Sequence, residues 1–511
     1  MKYLILLFSF ISATSLNLNA QQNTADFKVT VSLDSRLSKD FTPEGRMYLF
    51  ISEGSYVEPR MNTWPSPFEK TYVFAKNIVI QDKNWTVEIS NKQAYQGTPE
   101  WGLAAVPKGK YYIQVLWDQD ISESRTDAPG NLYSEPMSVT LDKSMSIELE
   151  LSEKIKEREL IAHPLCKYVE IESDLLTKFW GKSMKIKASV LLPHNYNKEN
   201  NYAVRYNVSG YGGRYTRVNN LLSDDQFMSW WDSEAAPQII TVYLDGEGPF
   251  GDSYQMDSEN SGPYGESLVT EVIPYIEDMY RGDSSAEMRF VDGCSTGGWV
   301  SLGLQLYYPE VFNGCFSYSP DAIDFRHYQL INIYKDKNAF TNEFGYDRPV
   351  MRDYTGEPML SLKEFIGHEN VLGNSGTYVN SGGQFSAHMA LYGPKGADGL
   401  PMPLFDPETG VIDSKVAEHW KKYDFKIHLE KNWKNLVPKL QGKIYMWMGD
   451  MDHFFLSSAA RHFAVFVEDH SSPELDAQLD FTPMEGHCSR YSDRLVLEQI
   501  QARIELLQKT K

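Results

Sequence analysis

The sequence predicts an α/β fold, a mostly parallel sheet with helices on both faces, preceded by a β-sandwich of immunoglobulin-like size. Short alternating runs separated by Gly, Pro and Asp turns fill residues 24–152, which is typical of antiparallel strands. From residue 165 onward, short β-branched or apolar runs alternate with longer stretches of helical period, which indicates strands joined by crossover helices. The charged segment 153–159 between the two patterns predicts a solvated connector.

The first 20 residues predict an export signal. Lys2 supplies a positive start, residues 3–11 form a short apolar stretch, and Leu18-Asn19-Ala20 has the small-residue pattern of a cleavage site. No later segment contains the roughly 20 apolar residues that a membrane helix needs. We therefore expect no membrane span, and a mature protein in the periplasm or outside the cell.

Composition narrows the classes of partner and cofactor. The formal net charge is −20 in 511 residues and clusters of Lys and Arg are absent, which argues against binding to nucleic acid or to an anionic membrane surface. The four cysteines are too few for a disulfide scaffold and lack the paired CxxC spacing of a zinc site. Composition gives no information about the oligomeric state.

The predicted elements place an insertion inside the second domain. In the first domain the clearest predicted strands are 27–33, 46–51, 84–89 and 110–117. In the second domain, residues 165–511, the predicted strands are 203–208, 239–244, 288–291, 314–318, 444–448 and 478–481, and the predicted helices are 266–280, 297–308, 457–468 and 492–507. The alternation stops between residues 321 and 440, so this insertion is expected to form a lid or a wall of a substrate pocket.

A Gly-x-Ser-x-Gly motif joins the predicted strand 288–291 to the predicted helix 297–308. Gly293, Ser295 and Gly297 occupy its defining positions. A serine at such a turn takes a strained backbone conformation that projects its hydroxyl above the sheet, and the glycines remove side chains that would clash there. In this context the motif predicts Ser295 as a nucleophile, and a structural turn without catalysis is the alternative.

A nucleophilic serine needs a base and an acid, and their order along the chain helps to select them. In α/β hydrolases the order is Ser, then acid, then His. Among 11 histidines, His487 is favoured as the base because it follows the last predicted strand and precedes the C-terminal helix. Asp450 and Asp452 both follow strand 444–448, and Asp452 is preferred because a turn of that length returns its carboxylate over the sheet edge.

Two backbone N–H groups are predicted to bind the oxyanion that forms when a serine attacks a carbonyl. Thr296 opens the helix after the nucleophile, where N–H groups point outward and the helix dipole is favourable. The glycine-rich segment 209–213 follows strand 203–208, and the N–H of Tyr211, with Gly212 next, is expected to supply the second donor. An ordinary glycine-rich turn is the alternative for this segment.

These segments together resemble the esterase family related to esterase D. The resemblance runs from about Val169 to the C-terminus and rests on residues 188–193, 209–213, 260–265, the Ser295 motif, 449–456 and 486–488. It implies an α/β-hydrolase fold, hydrolysis of carboxylic esters without metal or organic cofactor, and Asp452 as the acid. The family includes feruloyl and acetyl esterases of plant polysaccharides, often with accessory β domains. One departure is Ser209, which stands where a His-Gly opening is common.

Two cysteines flank the predicted nucleophile and base. Cys294 precedes Ser295 and Cys488 follows His487, which is similar to the arrangement in tannase and fungal feruloyl esterases. That resemblance implies a disulfide between the two catalytic loops, and two buried free thiols are the alternative.

The substrate is predicted only as a class. A small-molecule or carbohydrate ester is expected, with acetyl or feruloyl groups on plant-type carbohydrates as candidates, and Arg326 and Trp299 are expected to contact it. A serine peptidase of the same fold is one alternative, because fold and triad do not select the bond that is cleaved. A catalytically silent carbohydrate-binding protein is another.

Overall fold

The computed structural model describes residues 25–81, 85–99, 102–120 and 124–510, so the predicted export signal lies outside the described residues. The chain divides into two compact units, one of Met1–Glu157 with Gly367–Ser381 and one of Arg158–Ile366 with Gly382–Lys511. None of the helices in the described part of the chain is both long enough and apolar enough to cross a membrane.

The first unit is rich in antiparallel strands. Its strands β1 to β10 are Phe27–Leu33, Glu44–Ser52, Thr71–Val79, Val87–Ile89, Gln96–Gly97, Gly109–Asp118, Leu132–Tyr133, Met137–Leu141, Met145–Leu151 and Glu153–Lys154. One sheet has the order β4-β1-β9, and the other has the order β10-β7-β6-β2-β3-β5 with β8 paired to β6. Alternate residues such as Val29 and Val31 of β1 and Leu49 and Ile51 of β2 are buried in one shared hydrophobic core, so the two sheets pack face to face.

Part of the predicted insertion belongs to this first unit. Gly367–Ser381 is grouped with it, and Val371 and Leu372 pack in a cluster with Tyr48 of β2. The hydroxyl of Tyr48 donates to the carbonyl of Leu372 at 2.6 Å, and Arg46 donates to the carbonyl of Val371 at 2.8 Å. This stretch of the insertion therefore completes the packing of the strand-rich unit, and the lid or wall stays a prediction for the rest.

The second unit contains a central sheet of eight strands. Strands β11 to β24 are Cys166–Glu172, Lys185–Leu191, Ala203–Val208, Ile239–Leu244, Glu247–Gly248, Gly251–Asp252, Asp257–Ser258, Gly262–Pro263, Arg289–Cys294, Cys315–Tyr318, Pro349–Arg352, Pro358–Ser361, Ile444–Gly449 and Ala477–Thr482. Helices α1 to α12 are Asp174–Trp180, Val218–Leu222, Asp225–Trp231, Tyr264–Ser267, Ile273–Tyr280, Thr296–Tyr307, Leu362–Leu372, Gln384–Tyr392, Ser414–Trp420, Phe425–Leu440, Ser457–Asp469 and Asp493–Thr510.

The order of the central sheet is β11-β12-β14-β13-β19-β20-β23-β24. Strand β12 is antiparallel to both of its neighbours, and the other pairs are parallel. The order reverses between β13 and β19, which is the switch point where the loops at the carboxyl ends of parallel strands leave a crevice. All residues of β13 and β14 are buried, because helices on both faces of a parallel sheet require apolar runs there. The predicted α/β-hydrolase architecture is confirmed for this region.

Helix α12 closes the second unit and explains where the predicted base loop lies. It buries Val496, Leu497, Ile500 and Ile504 in a cluster with residues of the central sheet such as Phe290. Val496, Ile500 and Ile504 are spaced by four and Leu497 lies three residues before Ile500, which places all four on one helical face. Since the loop that carries residue 487 leads directly into α12, packing of this helix brings the loop to the carboxyl edge of the sheet.

A network of buried polar groups ties β13, β19 and the start of α12 together. Arg205 of β13 is fully buried and donates from Nε and Nη2 to the two carboxylate oxygens of Asp292 on β19, at 2.8 and 2.7 Å. Its Nη1 donates to Asp493 at 2.7 Å. Asp292 also accepts from Asn207 at 3.0 Å and from the hydroxyl of Tyr491 at 2.9 Å. Hydrogen-bond donors from three side chains thereby surround the buried carboxylate of Asp292.

We expect Arg205→Met to lower the free energy of unfolding by about 3–5 kcal/mol, because it leaves the buried carboxylate of Asp292 without its cation. Denaturation in urea measures the change. The matched control is Arg494→Ala, which removes an exposed pair with Glu498 on α12 and should cost less than about 1 kcal/mol. Equal effects of the two substitutions would contradict this role for the buried network.

Candidate active site

The structure places Ser295 at the junction between β19 and α6. Its backbone has φ 61° and ψ −124°, a conformation that residues other than glycine rarely adopt. The N–H of Ser295 donates to the carbonyl of Tyr318 on β20 at 3.0 Å, which holds the turn in place. A Cβ added at Gly293 or at Gly297 would lie 2.3 or 2.0 Å from the carbonyl oxygen of Val208. Only glycine fits on either side of Ser295, as the motif predicted.

The loops after β23 and β24 bring an acid and a base together. His487 Nδ1 lies 2.6 Å from Asp452 Oδ2. The Asp452 side chain is fully buried, and its other oxygen accepts the backbone N–H groups of Phe454 at 2.9 Å and Leu456 at 3.2 Å. The carboxylate therefore accepts the proton on His487 Nδ1 in a hydrogen bond, which leaves Nε2 as the ring atom that can take up another proton.

The surroundings of His487 set its proton affinity. Burial by itself lowers the pKa of the imidazole, because it disfavours the charged form. The negative charge of Asp452, the hydrogen bond to it and the charge of Asp321 oppose burial and raise the pKa of His487 above its usual 6.5. The site thus stabilises the imidazolium that forms when the ring accepts a proton.

Asp450, the other candidate for the acid, has a different set of contacts. Its carboxylate accepts from Nε and Nη2 of Arg461 on α11, at 2.8 and 2.7 Å. Arg352 of β21 donates to the backbone carbonyl of Asp450 at 3.1 Å and to that of Asp452 at 3.0 Å. The hairpin β21–β22 of the insertion therefore holds the acid loop, while Asp450 anchors that loop to α11.

The glycine-rich loop after β13 passes close to Ser295. A Cβ added at Gly210 would lie 3.7 Å from the Cβ of Ser295. The side chain of Tyr211 donates a hydrogen bond to the carbonyl of Gly382, which fixes the loop from the outside. Thr296 lies in the first turn of α6, where backbone N–H groups have no partner within the helix. The loop and the start of α6 thus both lie beside Ser295, and the two oxyanion donors stay a prediction.

Gly212, the second choice for that donor, has its N–H engaged elsewhere. It donates to the carboxylate of Asp252. Burial raises the pKa of Asp252 to about 7, against the lowering effect of the N–H groups of Tyr254 and Gly212. The N–H of Gly212 is therefore committed to Asp252.

Sequence reasoning missed a buried polar cluster beneath Thr296. Asp321, just after β20, accepts hydrogen bonds from the hydroxyl of Tyr254 at 2.8 Å, from the hydroxyl of Thr296 at 3.1 Å and from the amide of Gln384 at 3.3 Å. His388 Nε2 lies 2.6 Å from the hydroxyl of Tyr254. Burial raises the pKa of Asp321, but the hydrogen bond and charge of His388, together with the Tyr254 hydrogen bond, bring it below the usual value.

One signal in the sequence points to this cluster. Asp321 follows a strand of the central sheet at the same carboxyl edge as Ser295 and Asp452, and polar residues at that edge are candidates for the site. Its partners Tyr254, Gln384 and His388 lie in segments with no strand pattern, so only the fold brings them to it.

A disulfide joins Cys294 to Cys488, with their Cα atoms 6.0 Å apart. It directly links the residue before Ser295 to the residue after His487. The N–H of Cys488 also donates to the hydroxyl of Ser319 at 3.1 Å. No hydrogen bond joins the hydroxyl of Ser295 to His487 within the described chain, and such catalytic hydrogen bonds often tighten only when substrate binds.

Two residues expected to bind substrate have other contacts. Trp299 is fully buried, with its ring stacked 4.4 Å from that of Phe425, so its role as a substrate contact was predicted wrongly. Its position in the second turn of α6, facing the covering helix α10, explains the burial. Arg326 donates from Nε to Asp324 at 2.9 Å and lines a cavity whose lining includes neither Ser295 nor His487.

We expect replacement of both bonded cysteines by alanine to lower the free energy of unfolding by about 2–4 kcal/mol, because the cross-link restricts the unfolded chain. Chemical denaturation under non-reducing conditions measures the change. Cys166→Ala, at a half-buried free thiol, is the matched control and should have a smaller effect. Mass mapping of non-reduced peptides should find residues 294 and 488 in one linked pair, and freely alkylated Cys294 would contradict the bond.

Comparison with known proteins identifies the family of the second unit. The model of the family described as "Putative esterase" matches residues 182–494. No curated protein sequence matches the chain. Solved structures that are similar include a ferulic acid esterase, with 16% identity, a TM-score of 0.40 and coverage of 66% of this chain and 98% of its own. An S-formylglutathione hydrolase from Agrobacterium tumefaciens has 14% identity, a TM-score of 0.35 and coverage of 66% and 94%.

A prolyl endopeptidase is also similar, with 10% identity, a TM-score of 0.35 and coverage of 86% of this chain and 48% of its own. At TM-scores below 0.5, none of these likenesses bears on the bond that this chain cleaves. The family match does, because it spans more than half of the chain and contains the Ser295 motif, the acid loop and residue 487. The chain belongs to this esterase family and is a carboxylic-ester hydrolase.

Proposed function

We propose that Ser295, His487 and Asp452 are the catalytic triad of this hydrolase. The observation that carries the proposal is the 2.6 Å contact between His487 Nδ1 and the buried carboxylate of Asp452, in a loop bonded through Cys488 to the residue before Ser295. A base oriented by a buried acid next to a serine in a strained turn is the arrangement that activates a hydroxyl.

The reaction proceeds in two acyl transfers. His487 Nε2 takes the proton of the Ser295 hydroxyl while Ser295 Oγ bonds to the ester carbonyl carbon. The carbonyl oxygen becomes an oxyanion, which the N–H groups of Thr296 and Tyr211 bind. Collapse of this intermediate breaks the bond to the alcohol, which leaves with the proton from His487. Water then attacks the acyl-enzyme in the same way, and releases the acid and the free serine.

For the substrate we propose an ester of acetyl or feruloyl groups with plant-type carbohydrate. Aromatic surface beside the base supports it: the ring of Phe454 lies 5.0 Å from that of His487, and the ring of Tyr354 lies 4.6 Å from that of His453. Tyr354, at the tip of the β21–β22 hairpin, is 54% exposed. Flat aromatic surfaces with a polar edge suit a feruloyl ring or a sugar face. A serine peptidase of the same fold is the alternative, and an assay of esters against peptide amides distinguishes it from an esterase.

We further propose that the protein is exported to the periplasm or beyond the cell, and that its strand-rich region is an immunoglobulin-like accessory domain. The leader-like pattern of residues 1–20 supports export. The bonded Cys294 and Cys488 fit the same compartment, since disulfides persist in oxidising surroundings.

The alternative to the proposed catalytic function is a carbohydrate-binding protein without catalysis.

We expect Ser295→Ala to reduce kcat for ester hydrolysis by at least about 10⁴-fold, because the nucleophile is lost while the fold is kept. A panel of acetyl, feruloyl and longer acyl esters, free and on sugars, together with peptide amides, measures the effect and separates esterase from peptidase. Ser223→Ala, at an exposed serine, is the control. Hydrolysis that survives in Ser295→Ala would rule out the proposed nucleophile, and cleavage of amides alone would favour the peptidase.

The raised pKa of His487 predicts the pH dependence of the reaction. Only the neutral imidazole can act as the base, so kcat/KM should fall on the acid side with an inflection above pH 6.5. In Asp452→Asn the charge that raises this pKa is lost, so the residual activity should drop about 10⁴-fold and its acid limb should move to lower pH. Asp450→Asn is the matched control. An equal loss of activity in that variant would contradict the choice of Asp452 over Asp450 as the catalytic acid.

A further inference from the structure

Three possible metal ligands meet at a cavity in the second unit that the proposed triad does not use. Asp324, His327 and His462 each offer one ligand atom, and these atoms all lie within 4.8 Å of one another. The same three residues line a cavity of ≈ 450 Å³. Ser295, Asp452 and His487 are not among its lining residues.

Two separate elements supply the three ligands. Asp324 caps the short 3₁₀ turn Phe325–His327, which follows β20, and its side chain is only 1% exposed. His462 lies on α11 and is exposed, and its ring lies 3.8 Å from that of His327 with 23° between the planes. The hydroxyl of Ser458 is 3.1 Å from His327 Nδ1. This contact orients the His327 ring.

We propose that Asp324, His327 and His462 bind a zinc ion, with the fourth position open to the cavity. Two imidazole nitrogens and one carboxylate oxygen are a common donor set for zinc with one open position. Ligand atoms around a tetrahedral zinc ion with bonds of about 2.1 Å lie about 3.4 Å apart, so atoms that already lie within 4.8 Å of one another need to approach by at most about 1.4 Å. A hydrogen bond to the second ring nitrogen, as Ser458 makes to His327, is the usual support of a histidine ligand.

Charges around the cavity admit a cation. Arg326 and Lys426 line it, but so do three carboxylates, those of Asp324, Glu430 and Asp469. With neutral histidines the sum is one negative charge. Arg326 holds Asp324 through Oδ1, so Oδ2 remains for the ion. This is the arrangement in which a second hydrogen-bonded partner orients a ligating carboxylate.

The proposed ligands come from two elements that follow strands of the central sheet. Helix α11 follows the loop that carries Asp452, and the turn 325–327 follows the strand that leads to Asp321. A zinc ion bound by both would link the turn 325–327 to α11 at the edge of the cavity. Zinc binding should therefore stabilise the fold, because an ion that binds only the folded chain shifts unfolding by mass action, and it should leave ester hydrolysis in place.

The test is zinc binding to the full chain without a histidine tag, after removal of metals by chelation. Calorimetric titration with zinc chloride should give one ion per chain, and thermal unfolding should shift to higher temperature with zinc. His462→Ala should weaken binding by at least about tenfold and abolish the shift, while His462→Asp, which restores a ligand atom, should recover part of both.

The matched control is His419→Ala, which removes a partly exposed histidine that contacts Glu259 elsewhere in this unit. It should bind zinc as the unchanged protein does. Ester hydrolysis by the His462 variants reports that they are folded. Absence of a saturable one-to-one site, or equal zinc affinity in His462→Ala and the unchanged protein, would overturn the proposal.

Discussion

The backbone of Ser295 is the constraint on which the rest of the site depends. A conformation of φ 61° and ψ −124° at a non-glycine residue costs of order 1–3 kcal/mol, and it persists only when neighbouring contacts enforce it. Those contacts come from three directions: the carbonyl of Tyr318 on the next strand, the disulfide of Cys294, and the buried Asp292 on the same strand. The last two also hold the base loop, through Cys488 and Tyr491.

The parts of the fold that the sequence predicts well are those in which local pattern and final environment agree. Strands β13 and β14 were predicted with the bounds that the structure has, because a strand buried on both faces is a short continuous apolar run. The turn at Ser295 was predicted because nearby backbone atoms leave room only for glycine at positions 293 and 297, and those glycines are visible in the sequence. Strand β11 was missed, since it alternates buried and exposed residues at the sheet edge and carries charged side chains.

The parts that sequence could not provide depend on contacts between distant segments. Trp299 was misassigned because an aromatic residue four positions after a nucleophile has no local sign of facing α10 rather than the substrate. The Asp321 cluster draws the hydroxyl of Tyr254 from a loop, that of Thr296 from α6 and His388 from α8, which are far apart in the sequence. The insertion was predicted as a lid or wall, yet its hairpin holds the acid loop through Arg352, and residues 367–381 complete the core of the strand-rich unit. Such roles emerge only from tertiary packing.

The proposed chemistry depends on Ser295 as an activated nucleophile. Covalent labelling with a fluorophosphonate that reacts with activated serines, followed by mass mapping of the modified peptide, tests this proposal most directly. We expect one label per chain, on Ser295, with loss of ester hydrolysis in proportion to labelling and slower labelling once Asp452 is replaced by Asn. A label on another serine, or full ester hydrolysis in the completely labelled protein, would contradict it.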